Sequence, residues 1–190
     1  MSSEEVALIQ RVKQGDEEAF EQIFYRYQKK VYNVAYRMTG NRETAEDMTQ
    51  EVFLRLFQKI RKFRGKSSFS TWLYRLTVNL CLDHLRKRNA HLSESLEDVE
   101  EGNLAYGKTP EEELILKERR EAVQRIINSL PDKLRAIIIL REIEGLSYRE
   151  LAEAMGCSMG RVKSLLHEAR MELKRRIEKN QHLFKDEGEL

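Results

Sequence analysis

The sequence predicts an all-α protein: two small helical domains joined by a flexible acidic linker. Apolar residues recur at helical spacing through nearly every segment, and no period-two strand pattern of any length occurs. Breakers are sparse, with 9 Gly and 2 Pro, and they fall mainly where one helical pattern stops and the next starts. The charge is also segmented along the chain, as two basic regions separated by an acidic one.

The elements follow in order. A first helix is expected from about Glu4 to Gln14, with Val6, Leu8, Ile9 and Val12 as its apolar face and Gly15 as its stop. Asp16 caps a second, which carries Ala19, Phe20, Ile23, Phe24 and Tyr27 and continues through Val31, Val34, Ala35 and Met38 to Gly40. Asn41 caps a third, with Ala45, Met48, Val52, Phe53, Leu56, Phe57 and Ile60 on one stripe. A basic loop from Arg61 to Ser68 leads to a fourth helix, from about Ser70 to Arg88. Residues from Asn89 to Lys108 are acidic, contain Gly102, Asn103 and Gly107, and have weak periodicity, which reads as a linker. Thr109, Pro110 and Glu112 restart a helix with a cap, a first-turn proline and an acidic third position. Leu130 and Pro131 break it, and another helix runs from Asp132 to Ile143. The domains expected are 1–90 and 109–180, with 91–108 as linker and 181–190 as a polar tail.

Composition narrows the class. Of 190 residues, 41% are hydrophobic and 35% charged, which suits a soluble chain with two modest cores. The net charge of +2 argues against a uniformly basic coat. Its distribution points to partners. Arg55 to Asn89 holds ten Lys or Arg against one acid, Asp83, whereas Leu92 to Leu114 holds eight acids against Lys108 alone. Arg161 to Lys179 is basic again, seven against three. Two nucleic-acid-facing modules are the expectation. Cys81 and Cys157 are far apart and read as small buried hydrophobes, so no disulfide, metal site or cofactor is expected. The first residues lack the basic and apolar regions of a signal peptide, and the longest apolar run, Ala136 to Leu140, is too short to span a bilayer. A reducing cytoplasmic compartment without membrane insertion is therefore expected. No phosphate-cradling glycine loop, metal-ligand pair or nucleophile–base signature suggests an enzyme, and His84, His91, His167 and His182 are scattered.

Three segments carry functional signals. From Ser147 to Arg170 the pattern is a helix-turn-helix. Ser147 and Glu150 form a capping box; Leu151, Ala152 and Met155 give the first helix an apolar face; Gly156 supplies a left-handed stop; Ser158 caps the second helix. Val162, Leu165, Leu166 and Ala169 then point inward, leaving Arg161, Lys163, Ser164, His167 and Arg170 outward, a basic face suited to a major groove. On the third helix, Asp47, Gln50 and Glu51 lie three and four apart and share an exposed side: a solvated face or a docking patch. From Lys62 to Arg75, cations, hydroxyls and aromatics interleave. Arg64 and Lys66 suit phosphate contact. Phe69, Trp72 and Tyr74 suit either a base-holding surface or the core.

Five motifs in order complete the reading: Gln14 to Phe20, Ala45 to Phe53, Phe69 to Arg75 followed by Asn79 and Asp83, Leu130 to Arg135, and Glu144 to Ala152. Together they resemble the extracytoplasmic-function sigma factors of bacterial RNA polymerase over almost the whole chain. The resemblance implies two domains, called sigma region two and region four. It implies that Asp47, Gln50 and Glu51 dock on the clamp of the largest subunit of core RNA polymerase. It implies that Arg64, Lys66, Phe69, Trp72, Tyr74, Arg75 and Asn79 belong to the surface that melts the minus-ten promoter element and captures a flipped base. It implies that Ser158, Arg161, Lys163, Ser164, His167 and Arg170 belong to the reader of the minus-thirty-five element. The linker would thread toward the polymerase active site, and an anti-sigma factor would be a partner besides polymerase and promoter DNA.

The sequence also departs from the family pattern. Arg161 stands where the family usually has Thr, and Leu165 and Glu168 occupy positions that are often basic. Glu168 would repel phosphate or accept from a cytosine amino group. A stand-alone helix-turn-helix regulator is the alternative. It explains the C-terminal half, leaves Asp47, Gln50, Glu51 and the aromatic loop without a role, and calls for a dimer seam that is not visible. A helical adaptor that binds only proteins is a third reading, in which the basic helix is coincidence.

Overall fold

A computed structural model describes residues 2–92 and 110–180, and these form eight α-helices. The predicted linker at 91–108 lies almost wholly outside the described residues, as do the Thr109 cap and the tail at 181–190.

Three helices form the N-terminal bundle's frame: α1 (Ser3–Lys13), α2 (Glu17–Thr39) and α3 (Arg42–Lys59). Each begins with a side chain that satisfies an otherwise unpaired first-turn amide. Ser2 accepts from Glu5 N at 3.2 Å, Asp16 from Ala19 N at 3.0 Å, and Asn41 from Thr44 N at 2.8 Å. Helix α2 ends on Gly40, whose φ of +73° is a conformation that only glycine adopts cheaply. A 3-10 turn (Ile60–Lys62) follows α3, and α4 (Phe69–Leu92) closes the bundle. Helix α4 starts one residue earlier than the spacing predicts, because the Ser68 hydroxyl accepts from Thr71 N at 3.1 Å.

The C-terminal half comprises α5 (Pro110–Ser129), α6 (Asp132–Ile138), α7 (Tyr148–Met155) and α8 (Met159–Lys179). The single helix expected from Asp132 to Ile143 is instead α6 followed by a π turn, Ile139–Ile143. Its widening shows in the Glu144 amide, which reaches back five residues to the Ile139 carbonyl at 3.1 Å.

Two apolar clusters form, but the boundary between them is not at the linker. One is confined to the N-terminal half and gathers Ile9, Ile23, Val52, Leu56, Phe69 and Leu73. The other crosses the chain. It joins Val34, Met38, Val78, Cys81 and Leu85 of α2 and α4 to Leu134, Ile137, Leu151 and Leu166 of the C-terminal helices. Helices α4 and α7 lie against each other. The two domains therefore share a core. Burial pushes the Cys81 thiol up to about 12, which leaves it a protonated apolar filler. No helix among the described residues is long and apolar enough to cross a membrane.

Candidate nucleic-acid interface

The helix-turn-helix is built as the sequence dictates. Ser147 and Glu150 cap α7 reciprocally: the Glu150 carboxylate accepts from Ser147 N at 2.9 Å and from the Ser147 hydroxyl at 2.7 Å, while Ser147 Oγ accepts from Glu150 N at 3.3 Å. These bonds hold the Glu150 carboxyl below its ordinary range. Gly156 ends α7 with φ +63°, and Ser158 caps α8 by accepting from Arg161 N at 3.2 Å. Val162, Leu165, Leu166 and Ala169 are buried. Arg161, Lys163, Ser164, His167, Glu168 and Arg170 are exposed. Lys163 and His167 lie four apart, and Ser164 lies between them on the same side.

Not every outward residue is free for DNA. Arg170 reaches back to Glu142 of the π turn, with Nη2 at 2.8 Å and Nε at 3.2 Å, so it ties α8 to the domain. Ser158 spends its hydroxyl on the cap, and Ser164 donates to the Gly160 carbonyl at 3.2 Å. Leu165 is buried and cannot face a groove.

The basic loop and the start of α4 divide into surface and core. Arg64 and Lys66 are exposed on either side of Gly65. Phe69 is wholly buried, with its ring edge-on to Tyr27 at 5.2 Å and to Phe63 at 5.5 Å. In this arrangement it fills the core and offers DNA no surface. Trp72 is half-buried, 5.3 Å from the Phe63 ring and 5.8 Å from Phe69. Tyr74 is only 6% exposed, and its hydroxyl donates to Glu144. Arg75 and Asn79 are exposed, four residues apart, so an open strip runs from Trp72 along α4. Helical spacing explains the split: positions 69 and 73 turn inward with the apolar stripe, whereas 72, 75 and 79 lie together on another side.

The acidic patch on α3 is at the surface. Asp47 and Gln50 are exposed, and Glu51 is half-buried and pairs with Arg55 at 2.7 Å. The structure adds two residues there. Leu54 is 60% exposed, and Phe57, expected on the buried stripe, is 53% exposed with its ring edge against Phe20 at 5.3 Å. Both were findable: Leu54 follows Gln50 by four and Phe57 follows it by seven, which places them on the polar patch's side. Large exposed apolar groups beside polar ones are the composition of a docking surface.

The shared core also brings the end of α4 near the start of α8. A cleft of about 430 Å³ is lined by Arg86 and Asn89 of α4, Lys133 of α6, and Arg161 and Glu168 of α8. Among the described residues no group of three or more His, Cys, Asp or Glu is placed to hold a metal ion.

The family model for Sigma-70 region 2 matches residues 23–91, and that for Sigma-70, region 4 matches residues 120–173. The chain is 38% identical over 179 residues to the ECF RNA polymerase sigma-E factor of Haemophilus influenzae, covering 90% of this chain and 94% of that protein. It is 37% identical over 176 residues to the ECF RNA polymerase sigma factor SigW of Bacillus subtilis, covering 89% and 94%. Among solved structures, the sigma factor RpoE in complex with the anti-sigma factor NepR, from Bartonella quintana, has the same fold. Its TM-score is 0.66 at 24% identity, covering 84% of this chain and 96% of that one. CnrH in complex with the cytosolic domain of CnrY also has a TM-score of 0.66, at 20% identity, covering 91% and 96%.

Proposed function

The chain belongs to the extracytoplasmic-function sigma factors of RNA polymerase, and from that premise we propose how its surfaces share the work of promoter-directed initiation. It binds core RNA polymerase, reads the minus-thirty-five duplex and melts the minus-ten element in the bacterial cytoplasm, with no catalysis of its own. Residues 1–90 serve polymerase and minus-ten contact, 91–108 connect, 109–180 read the minus-thirty-five element, and 181–190 form a tail. Membership of this family disfavours a stand-alone helix-turn-helix regulator.

The observation that carries the reading is α8. Its inward residues are buried while Lys163, Ser164 and His167 stand exposed together on a capped, rigid helix. Lys163 attracts phosphate, the Ser164 hydroxyl, whose proton goes to the Gly160 carbonyl, can still accept from a base edge, and His167 can exchange hydrogen bonds with one. Arg161, at the helix start, adds positive charge, whereas Ser158 and Arg170 position the helix. On α3, Asp47, Gln50 and Glu51, with Leu54 and Phe57 beside them, form the polymerase-docking surface. Arg64, Lys66, Trp72, Arg75 and Asn79 form the exposed minus-ten surface, backed by Phe69 and Tyr74. Melting needs no covalent step: unstacking a base costs a few kcal/mol, offset by phosphate and pocket contacts. An anti-sigma partner is supported by the fold shared with a sigma factor solved in such a complex.

Run-off transcription tests the reading. The purified chain, added to sigma-free core polymerase and a library of host promoter fragments, gives discrete transcripts from templates that share two spaced elements. Absence of both transcripts and core binding would return the chain to the stand-alone alternative.

A further inference from the structure

The loop that carries Arg64 and Lys66 is held by a residue of the first helix that has no role so far. Helix α1 is fixed in the N-terminal bundle. Leu8, Ile9 and Val12 are buried in the core, Glu5 accepts the Tyr27 hydroxyl, and Glu4 pairs with Arg26 at 2.7 Å. Lys13 stands in the last turn of that fixed helix. Its Nζ donates to the Phe63 carbonyl at 2.7 Å and lies 5.7 Å from the centre of the Phe63 ring. Phe63 ends the 3-10 turn, where a main-chain carbonyl is left open for such a donor. The ring of Phe63 is buried and packs 5.3 Å from Trp72 and 5.5 Å from Phe69. The far end of the loop is fixed separately: Ser68 Oγ accepts from Thr71 N at 3.1 Å and lies 2.7 Å from the Thr71 hydroxyl. Between the two anchors Arg64, Gly65 and Lys66 are exposed, and a Cβ on Gly65 would meet nothing within 4 Å.

We propose that Lys13 is a positioning residue for promoter melting: by fastening the carbonyl and ring of Phe63 it sets where Arg64 and Lys66 leave the bundle and how Trp72 is presented, without itself touching DNA. The inference rests on the minus-ten surface assigned above.

The geometry gives this one contact its reach. The Phe63 carbonyl and the Arg64 amide share one rigid peptide plane, so holding the oxygen fixes the direction in which the exposed stretch begins. The donor is an ammonium and the bond is part-buried, which makes it stronger than a bond between neutral groups. The charge over the Phe63 ring adds a second attraction to the same residue. A loop ordered in advance does not lose affinity to ordering when it meets a strand, whereas a loose one does. Trp72 gains in the same way, because one of the rings it rests on is the one Lys13 holds. A lysine in the last turn also complements the helix dipole, but that needs no partner. The dipole does not account for a 2.7 Å bond to a main-chain oxygen fifty residues further along the chain.

The test uses the full chain bound to core polymerase, on a promoter that the wild type transcribes. Two quantities are read: the Kd for an oligonucleotide carrying the non-template minus-ten strand, and the fluorescence of 2-aminopurine placed in turn at each position of that strand, which reports the flipped base. Lys13→Met keeps an unbranched stem and removes the charge and the donor. It should raise the Kd about tenfold and lower the signal at the captured position, with core binding and minus-thirty-five duplex binding unchanged. Lys13→Arg still donates and still stands over the ring, so it should restore both readings. The slope of log affinity against log salt separates positioning from contact. It should stay unchanged in Lys13→Met, whereas Arg64→Ala, which removes a phosphate contact, should reduce it by about 0.7. Capture by Lys13→Met at the wild-type level overturns the proposal. A slope reduced as in Arg64→Ala also overturns it, since Lys13 would then touch phosphate directly. A defect that Lys13→Arg leaves in place, or one accompanied by loss of core binding, makes Lys13 a residue of the fold alone and overturns it too. If the wild type itself gives no transcripts and does not bind core polymerase, the sigma reading fails and this proposal with it.

Discussion

Gly40 offers a quantitative check on the contact between the two halves. It ends α2 in the left-handed region, and a Cβ built on it would sit 2.0 Å from Asn128 Nδ2 and 2.9 Å from Asn128 Cγ on α5. Gly40→Ala therefore acts twice. Holding alanine at φ +73° costs roughly 1–2 kcal/mol. Asn128 must also swing away, which breaks its 2.9 Å bond from Gln124 Nε2 and costs about 1 kcal/mol, with a strained rotamer adding to it. The single variant should lose about 3 kcal/mol. Asn128→Ala alone removes the Gln124 bond and should lose about 1 kcal/mol. In the double variant the collision is gone and only the backbone cost and the lost bond remain. The loss should then fall short of the two single losses combined by about 1–2 kcal/mol. Urea unfolding, followed by circular dichroism and by the fluorescence of the single tryptophan, measures all three at constant slope. Strict additivity would mean that α5 does not press on the α2 cap, and the shared core described here would be wrong.

Three further outcomes are expected. Gln50→Ala should weaken binding to core polymerase and leave the unfolding transition unchanged, because the side chain is exposed; unchanged affinity in a co-elution titration would remove Gln50 from the docking surface. Lys163→Ala should weaken duplex binding across sequences and reduce the slope of log affinity against log salt by about one, with polymerase binding intact, whereas loss of both would point to misfolding. Ser147→Ala should destabilise by about 1 kcal/mol at neutral pH. Because Ser147 holds the Glu150 carboxyl below its ordinary value of 4.5, that contribution is present above this value and fades as pH falls through the folded-state value. Melting temperatures of wild type and variant should therefore converge at low pH, and a constant gap would show that the cap acts without the carboxylate.

How much of this was legible in the sequence depends on whether a feature is local. Caps, stops and stripes are decided within one or two turns, so Asp16, Asn41, the Ser147–Glu150 box and Gly156 could be placed from spacing alone. The π turn could not. Residues 139–143 are part of a strongly apolar, helix-periodic run, and the turn carries two side chains whose partners lie outside it. Arg141 donates to Leu146 O at 2.6 Å, and Glu142 meets Arg170 across to α8. Phe57 is exposed although apolar character alone predicts burial, and its spacing from Gln50 puts it on the outer face. The aromatics of the loop show the same limit. Interleaved cations and rings are equally the composition of a strand-binding surface and of a core with a charged rim. Only the ring contacts of Phe69 with Tyr27 and Phe63 decide for the core.

The contact between domains lies furthest beyond the sequence, and physical chemistry shows why. Arg135, in a region-four helix, reads as an ordinary solvated cation beside Asp132, which it meets at 3.3 Å. Its burial makes sense only once the open carbonyl of Met38, nearly a hundred residues away, is in reach. A buried guanidinium is costly unless its donors are satisfied, and burial does lower its affinity for the proton. Its bonds to Asn128 and Leu130 lie within the C-terminal half, and only the bond to the Met38 carbonyl reaches across to α2. Arg135 therefore ties α6 to the last turn of α2, a contact that neither half carries alone.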